Sequence, residues 1–270
     1  MTDQPISFDL TGQTALVTGG GGAIGSAIVR ALIQQGARVV LGGHTDRAAK
    51  VADQLNKDAG ATVCAGLKLD VTQNDHVDRA VATAVDRFGS LDILVNCAGV
   101  NMKKPTLEVT DEEEHFVMEI NYFGAVRAAK AAARQMISQG NGGSIVNVCS
   151  LSSFMGLSEV TAYACSKSAL LGLTRQLALE WIFHGIRTNA IAPGFVPADQ
   201  NRQILQSGDR GRRILENTPM ERFGEPDEIA GAVVYLCSPA GSFVNGECIN
   251  IDGGFMINAV SDAMSKHNAS

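Results

Sequence analysis

Apolar residues along this chain fall into two recurring patterns. Some form short, nearly continuous runs; others return every three or four positions over longer stretches. The first pattern predicts strands covered on both faces, and the second predicts amphipathic helices. Strands are expected at 13–18, 38–41, 62–69, 92–95, 144–148, 187–192 and 248–251. Helices are expected at 23–35, 45–58, 72–88, 111–138, 161–183, 198–216 and 226–237, with 198–216 more polar than the rest. The stripe Val77, Val81, Ala84, Val85 and Phe88 gives 72–88 its buried face, and Thr72 with Asp75 reads as a capping-box-like start. Thr110 is the expected N-cap of 111–138, with Glu113 at its third position, and Pro226 opens the last helix.

Repeated strand–helix units with right-handed crossovers predict an α/β fold, a single doubly wound domain over 1–270 on a parallel seven-stranded sheet. No Pro/Ser-rich linker divides the chain. With 270 residues and 45% hydrophobic content, a substantial core is affordable. The net charge of −6 argues against a general nucleic-acid binder. No apolar run is long enough for a membrane span, and residues 1–11 lack a basic-then-apolar leader pattern, so a cytoplasmic protein is expected. The 6 cysteines form no C-x-x-C and read as small buried hydrophobes. The 5 histidines are isolated, so no metal site is expected.

Two stretches carry chemistry. Between the first strand and first helix runs Thr18-Gly19-Gly20-Gly21-Gly22-Ala23-Ile24-Gly25. Glycines there allow a tight turn and close backbone approach to phosphate, and the helix that follows offers free N–H groups and its positive end. Asp70, at the end of the third strand with Val71 beside it, is placed to accept from an adenine amino group. Asn96-Cys97-Ala98-Gly99 ends the fourth, where small residues admit a ribose. At the tip of the second strand stands Gly42-Gly43-His44-Thr45-Asp46-Arg47. No acid occupies the tip, and His44, Thr45 and Arg47 are donors for a 2′-phosphate. NADP is therefore preferred over NAD, with Asp46 the counter-indication.

Downstream, Tyr163 and Lys167 lie four apart on a predicted helix and face the same way. An ammonium beside a phenol stabilises the phenolate, so Tyr163 suits proton exchange with a carbonyl or alcohol. Ser150, after the fifth strand, suits a hydrogen bond to the same oxygen.

With these residues, and with Asn121, Pro193-Gly194 and Asp252-Gly253-Gly254, the chain resembles the short-chain dehydrogenase/reductase family from about 10 to 255. The resemblance implies a Rossmann domain, hydride transfer at nicotinamide C4 and a catalytic tetrad of Asn121, Ser150, Tyr163 and Lys167. In that tetrad Asn121 bends its helix and holds a water linking Lys167 to solvent, and Lys167 also clamps the nicotinamide ribose. It further implies a homotetramer, sometimes a dimer, packed through the two long helices. The candidate cofactor contacts are Gly19, Gly21, Gly22, Ala23, Ile24, Gly25, His44, Thr45, Arg47, Asp70, Val71, Asn96, Ala98, Gly99, Tyr163, Lys167, Pro193, Gly194 and Val196. Two positions depart from the family pattern: Ala23 replaces a loop glycine, and Ala198 replaces a threonine that contacts cofactor.

A substrate lid is expected over about 195–222. Its Gln200, Asn201 and Arg202, followed by Arg210, Arg212 and Arg213, suit sugar hydroxyls and a carboxylate, although the last three also read as a solvated helix face. The candidate substrate contacts are Ser152, Gln200 and Arg202. The 193–226 stretch resembles sugar-acid members of the family, mannonate/fructuronate oxidoreductases and gluconate 5-dehydrogenases, which implies a keto-sugar acid or polyol as small-molecule substrate. A 3-oxoacyl thioester reductase is the alternative enzyme, its acidic carrier docking on the Arg-rich segment. A non-catalytic NADP-binding regulator is the alternative of another class.

Overall fold

A computed structural model describes residues 6–197 and 209–258. Its centre is a seven-stranded sheet in the order β3-β2-β1-β4-β5-β6-β7. The strands are β1 (Thr14–Thr18), β2 (Arg38–Gly43), β3 (Cys64–Lys68), β4 (Ile93–Asn96), β5 (Gly143–Val148), β6 (Ile186–Pro193) and β7 (Cys248–Ile251), and every neighbouring pair is parallel. The described helices of a turn or more of α-helix are α1 (Ala23–Gln34), α2 (Arg47–Ala59), α3 (Asn74–Phe88), α4 (Asp111–Met118), α5 (Gly124–Gln139), α6 (Thr161–Trp181), α7 (Asp209–Glu216) and α8 (Pro226–Cys237).

Alternation along β1 divides the core in two. Ala15 and Val17 face α1 and α8, in a layer with Val39, Leu41, Ile28, Leu32, Val233 and Leu236. Leu16 faces the other way, with Val40, Leu94, Ile145, Val77, Met136 and the alanines of α5. Both faces are dry, which is why the strands read as continuous apolar runs. Cys64 and Cys237 are buried in this packing and Cys97 packs against it, and desolvation pushes the thiols of Cys64 and Cys97 up to about 11 and that of Cys237 up to about 12. They are neutral small hydrophobes at neutral pH.

Two sequence expectations need correction. The helix expected from Thr72 starts at Asn74, with no side-chain cap at Gln73. The hydroxyl and N–H of Thr72 instead go to Asp70 Oδ1, at 2.8 and 3.0 Å, an Asx turn that competes with the cap. The helix expected over 111–138 is continuous but not uniform: a wide π turn at Glu119–Phe123 divides it into α4 and α5. Its start is as expected: Thr110 and Glu113 form a reciprocal capping box. Of the helix expected over 198–216, only α7 falls within the described residues.

Candidate active site

The C-terminal ends of β1, β4 and β5 and the start of α6 converge on one edge of the sheet, where open parallel sheets bind ligands. The Gly-rich segment leaves β1 as a tight turn. Gly19 has φ +69°, and a Cβ there would lie 2.8 Å from Ala98 N. Gly25 packs so closely on the Gly19 carbonyl that no Cβ fits. Both glycines are therefore required by the turn itself. Gly22 stands at the N-cap of α1 with no side-chain bond, so the helix presents its first N–H groups uncapped. The departure at Ala23 is the first residue of α1, where a methyl group is no obstacle to helix formation. A pyrophosphate fits this cradle: bare helix N–H groups, the dipole's positive end and backbone unshielded by side chains.

Thr18 joins the turn to the end of β4, a role sequence reading missed. Its hydroxyl accepts from the N–H groups of Cys97 and Ala98, both at 3.1 Å, and lies 3.4 Å from the Val95 carbonyl. Register alone was the available signal, since Thr18 pairs with Asn96 across the ladder. Asn96 itself points inward. It is buried, donates to the Ala125 carbonyl at 3.3 Å and to Asn147 Oδ1 at 2.9 Å, and Asn147 in turn donates to Thr174 Oγ1 at 2.9 Å. Its amide nitrogen thus serves β5 and α5, while its buried Oδ1 has no hydrogen-bond partner among the described residues.

The residues expected at the adenine end lie on the loops after β2 and β3. His44, Thr45, Asp46 and Arg47 are exposed, and a Cβ on Gly21 would lie 3.1 Å from Ala48 N, so the start of α2 adjoins the Gly-rich turn. Asp46 occupies the N-cap position of α2 and makes no side-chain cap bond. Asp70 is partly desolvated, which opposes ionisation. Hydrogen bonds from Thr72, with His44 and His76 nearby, outweigh that and hold its carboxyl below the usual range. Val71 is buried, and a Cβ on Gly124 would lie 2.5 Å from its methyl.

Around the expected reaction centre, Tyr163 and Lys167 share a face of α6. The Lys167 ammonium lies 5.7 Å from the Tyr163 ring centroid and donates to the Val148 carbonyl at 2.7 Å. Lys167 is buried, and a Cβ on Gly99 would be 3.4 Å from its Nζ, so the loop after β4 and the lysine meet here. Ser150 follows β5, and its Oγ accepts from Ser152 N at 3.2 Å. That bond occupies a lone pair and leaves the hydroxyl proton to donate elsewhere. Ser152 is buried with no partner for its own hydroxyl among the described residues.

Asn121 lies in the π turn, at the bend. Its Oδ1 accepts from Val100 N at 2.8 Å, and its Nδ2 donates to Val100 O and Ser166 Oγ, both at 2.9 Å. Ser166 then donates to the Tyr163 carbonyl at 2.7 Å. Ser166, within the Tyr163–Lys167 motif, is a second residue that sequence reading left without a role. Pro193 ends β6, Gly194 packs on Asp252 where a Cβ would lie 2.7 Å from its Cα, and Val196 is buried in the α1–α8 layer.

Gln200, Asn201, Arg202 and Ala198 lie outside the described residues. On α7, Arg212 pairs with Asp209 and Glu216 at 2.7 and 2.6 Å, and Arg213 pairs with Asp209 at 2.8 Å. These two are the solvated helix face of the plainer reading. Among the described residues, no group of three or more His, Cys, Asp or Glu is placed to hold a metal, and no helix is long and apolar enough to cross a membrane.

Comparison with known proteins follows the same lines. A family model described as enoyl-(acyl carrier protein) reductase matches residues 21–256. A 2-dehydro-3-deoxy-D-gluconate 5-dehydrogenase of Escherichia coli is 35% identical, covering 93% of this chain and 98% of its own. A galactitol 2-dehydrogenase (L-tagatose-forming) of Cereibacter sphaeroides is 38% identical, covering 93% and 97%. The crystal structure of a gluconate 5-dehydrogenase from Burkholderia cenocepacia, in complex with NADP and tartrate, superposes with a TM-score of 0.88. It is 34% identical and covers 94% of this chain and 99% of that one.

Proposed function

The chain belongs to the short-chain dehydrogenase/reductase family, and we propose that it is an NADP-dependent oxidoreductase interconverting a ketone and a secondary alcohol on a sugar acid or polyol. The observation that carries this reading is the meeting of Gly99 and Lys167. It puts the Gly-rich turn, tied to Ala98 through Thr18, beside the Tyr163–Lys167 pair. The bound nicotinamide supplies or accepts the hydride. Gly19, Gly21, Gly22, Ala23, Ile24 and Gly25 hold the pyrophosphate by backbone, and Asp70 and Val71 border the adenine. The 2′-phosphate is met by His44, Thr45 and Arg47.

Tyr163 exchanges a proton with the substrate oxygen, and Ser150 donates its hydroxyl proton to that oxygen. The Lys167 ammonium, on the same face of α6 as Tyr163, serves the ribose hydroxyls. Asn121 is a positioning residue: through Val100 and Ser166 it ties the β4 loop to the backbone of α6 at Tyr163. The whole chain forms one catalytic domain with a lid over about 195–222 that carries Gln200 and Arg202, and Ser152 lines the substrate side.

The protein acts in the cytoplasm as a homotetramer. Exposed Phe116 and Phe123 around the π turn and Leu179 and Phe183 at the end of α6 support packing through these helices. Thioester reduction is less favoured, because Arg212 and Arg213 are already neutralised by Asp209 and Glu216.

Assay of NADP with keto-sugar acids, neutral ketoses and 3-oxoacyl thioesters tests the reading. Turnover of acids or ketoses above thioesters supports it; thioesters alone overturn it.

A further inference from the structure

Two loops at the C-terminal edge of the sheet are joined by an ion pair outside the Tyr163–Lys167–Ser150 machinery. Lys103 Nζ lies 3.0 Å from Glu159 Oε2. Lys103 is four residues beyond Gly99, on the loop that Asn121 pins at Val100 next to Lys167. Glu159 is four residues before Tyr163, just ahead of α6. The pair therefore joins the loops after β4 and β5, at the edge of the sheet where this class of fold takes its ligands.

The surroundings distinguish Lys103 from other nearby cations. Lys104 is committed to both oxygens of Glu113, at 2.8 and 3.0 Å, and Glu113 also caps α4. Lys103 has an exposed partner: the side chains of Lys103 and Glu159 are 42% and 44% accessible. An ion pair so exposed is held weakly, and its carboxylate is readily exchanged for another.

The backbone of Glu159 is independently unusual. It is a non-glycine residue at φ +65°, held by Lys104 N–H donating to its carbonyl at 2.7 Å, with Thr106 and Thr161 hydroxyls 2.6 Å apart beside it. Strain of this kind persists only where neighbours over-determine it, and it collects at ligand clamps.

We infer that Lys103 receives the carboxylate of a sugar-acid substrate, which displaces Glu159 from the ammonium while the keto carbon lies at Tyr163. This inference rests on the sugar-acid reading above and names the group that selects acids over neutral sugars. Glu159 serves as the stand-in anion that keeps Lys103 in place when no substrate is bound.

The test compares kcat/KM for a keto-sugar acid with that for the matching neutral ketose, in wild type and in Lys103→Met, with thermal unfolding to verify the fold. The acid-to-neutral ratio should fall at least tenfold in Lys103→Met and recover in Lys103→Arg. Glu159→Gln should lower KM for the acid. Calorimetric titration of tartrate, a hydroxy-dicarboxylate, into the NADP-loaded protein should show weaker binding in Lys103→Met. A ratio within twofold of wild type, with tartrate affinity retained, overturns the inference. A wild type active on ketoses and inactive on every acid removes the sugar-acid reading and the inference with it, and is visible before any variant is made.

Discussion

Lys167 and Val148 are joined by a hydrogen bond of 2.7 Å from a buried ammonium to a strand-end carbonyl. The bond anchors the lysine between the end of β5 and the face of α6 that carries Tyr163. It leaves two of the three ammonium protons for other partners. The same ammonium lies 5.7 Å from the centre of the Tyr163 ring.

Removal of the phenol proton should therefore abolish chemistry and leave the cofactor cradle intact. Tyr163→Phe should lower kcat by at least about a hundredfold, the scale of lost general acid–base assistance. NADP affinity, read by calorimetry, should stay within a few-fold of wild type.

Thr18 should prove structural as well as cofactor-ordering. Thr18→Val removes the acceptor for two N–H groups, Cys97 and Ala98. Leaving such groups unpaired costs about 1–3 kcal/mol, measurable by urea unfolding. Thr18→Ser keeps the oxygen and should recover most of the loss.

How much of this was legible in the sequence depends on the reach of each interaction. Strand positions were readable because each run is dry on both faces, and local composition reports that directly. Asn96 was readable in principle: period two puts it on the same face as Leu94, beneath α5, and the inward side chain follows. The start of α3 was misread because Asp70, two residues upstream, competes for the Thr72 hydroxyl. The π turn was hidden from periodicity because its partner, Val100, is 21 residues away in sequence. The pair of Lys103 with Glu159 was invisible for the same reason, the two being 56 positions apart.

Gly19 offers a sharper test of the cradle. Gly19→Ala forces a side chain into a left-handed conformation and against Ala98 N. It should destabilise the fold by about 1–3 kcal/mol and weaken NADP binding, both measured on the purified variant by calorimetry.

The start of α8 should titrate. Hydrogen bonds from Arg222 and then the Glu225 N–H, together with the Arg222 charge, hold the Glu228 carboxyl down to about 2. A carboxyl depressed in the folded state stabilises it above the ordinary glutamate range of about 4.3, and that contribution fades as pH falls toward about 2. Glu228→Gln should lower Tm near neutrality, and the difference from wild type should shrink as the pH is taken down through this window. A difference independent of pH would assign the effect to packing.

The wide turn at Glu119–Phe123 sets the phase of everything after it. An α-helix advances about 100° per residue, so excising one residue there would restore regular winding and swing either Asn121 or the whole of α5 around the axis. In the first case the tether to Val100 parts; in the second, the alanines packed under the sheet turn outward. The irregular loop of helix is what lets one continuous rod satisfy a reaction centre at one end and a hydrophobic floor at the other.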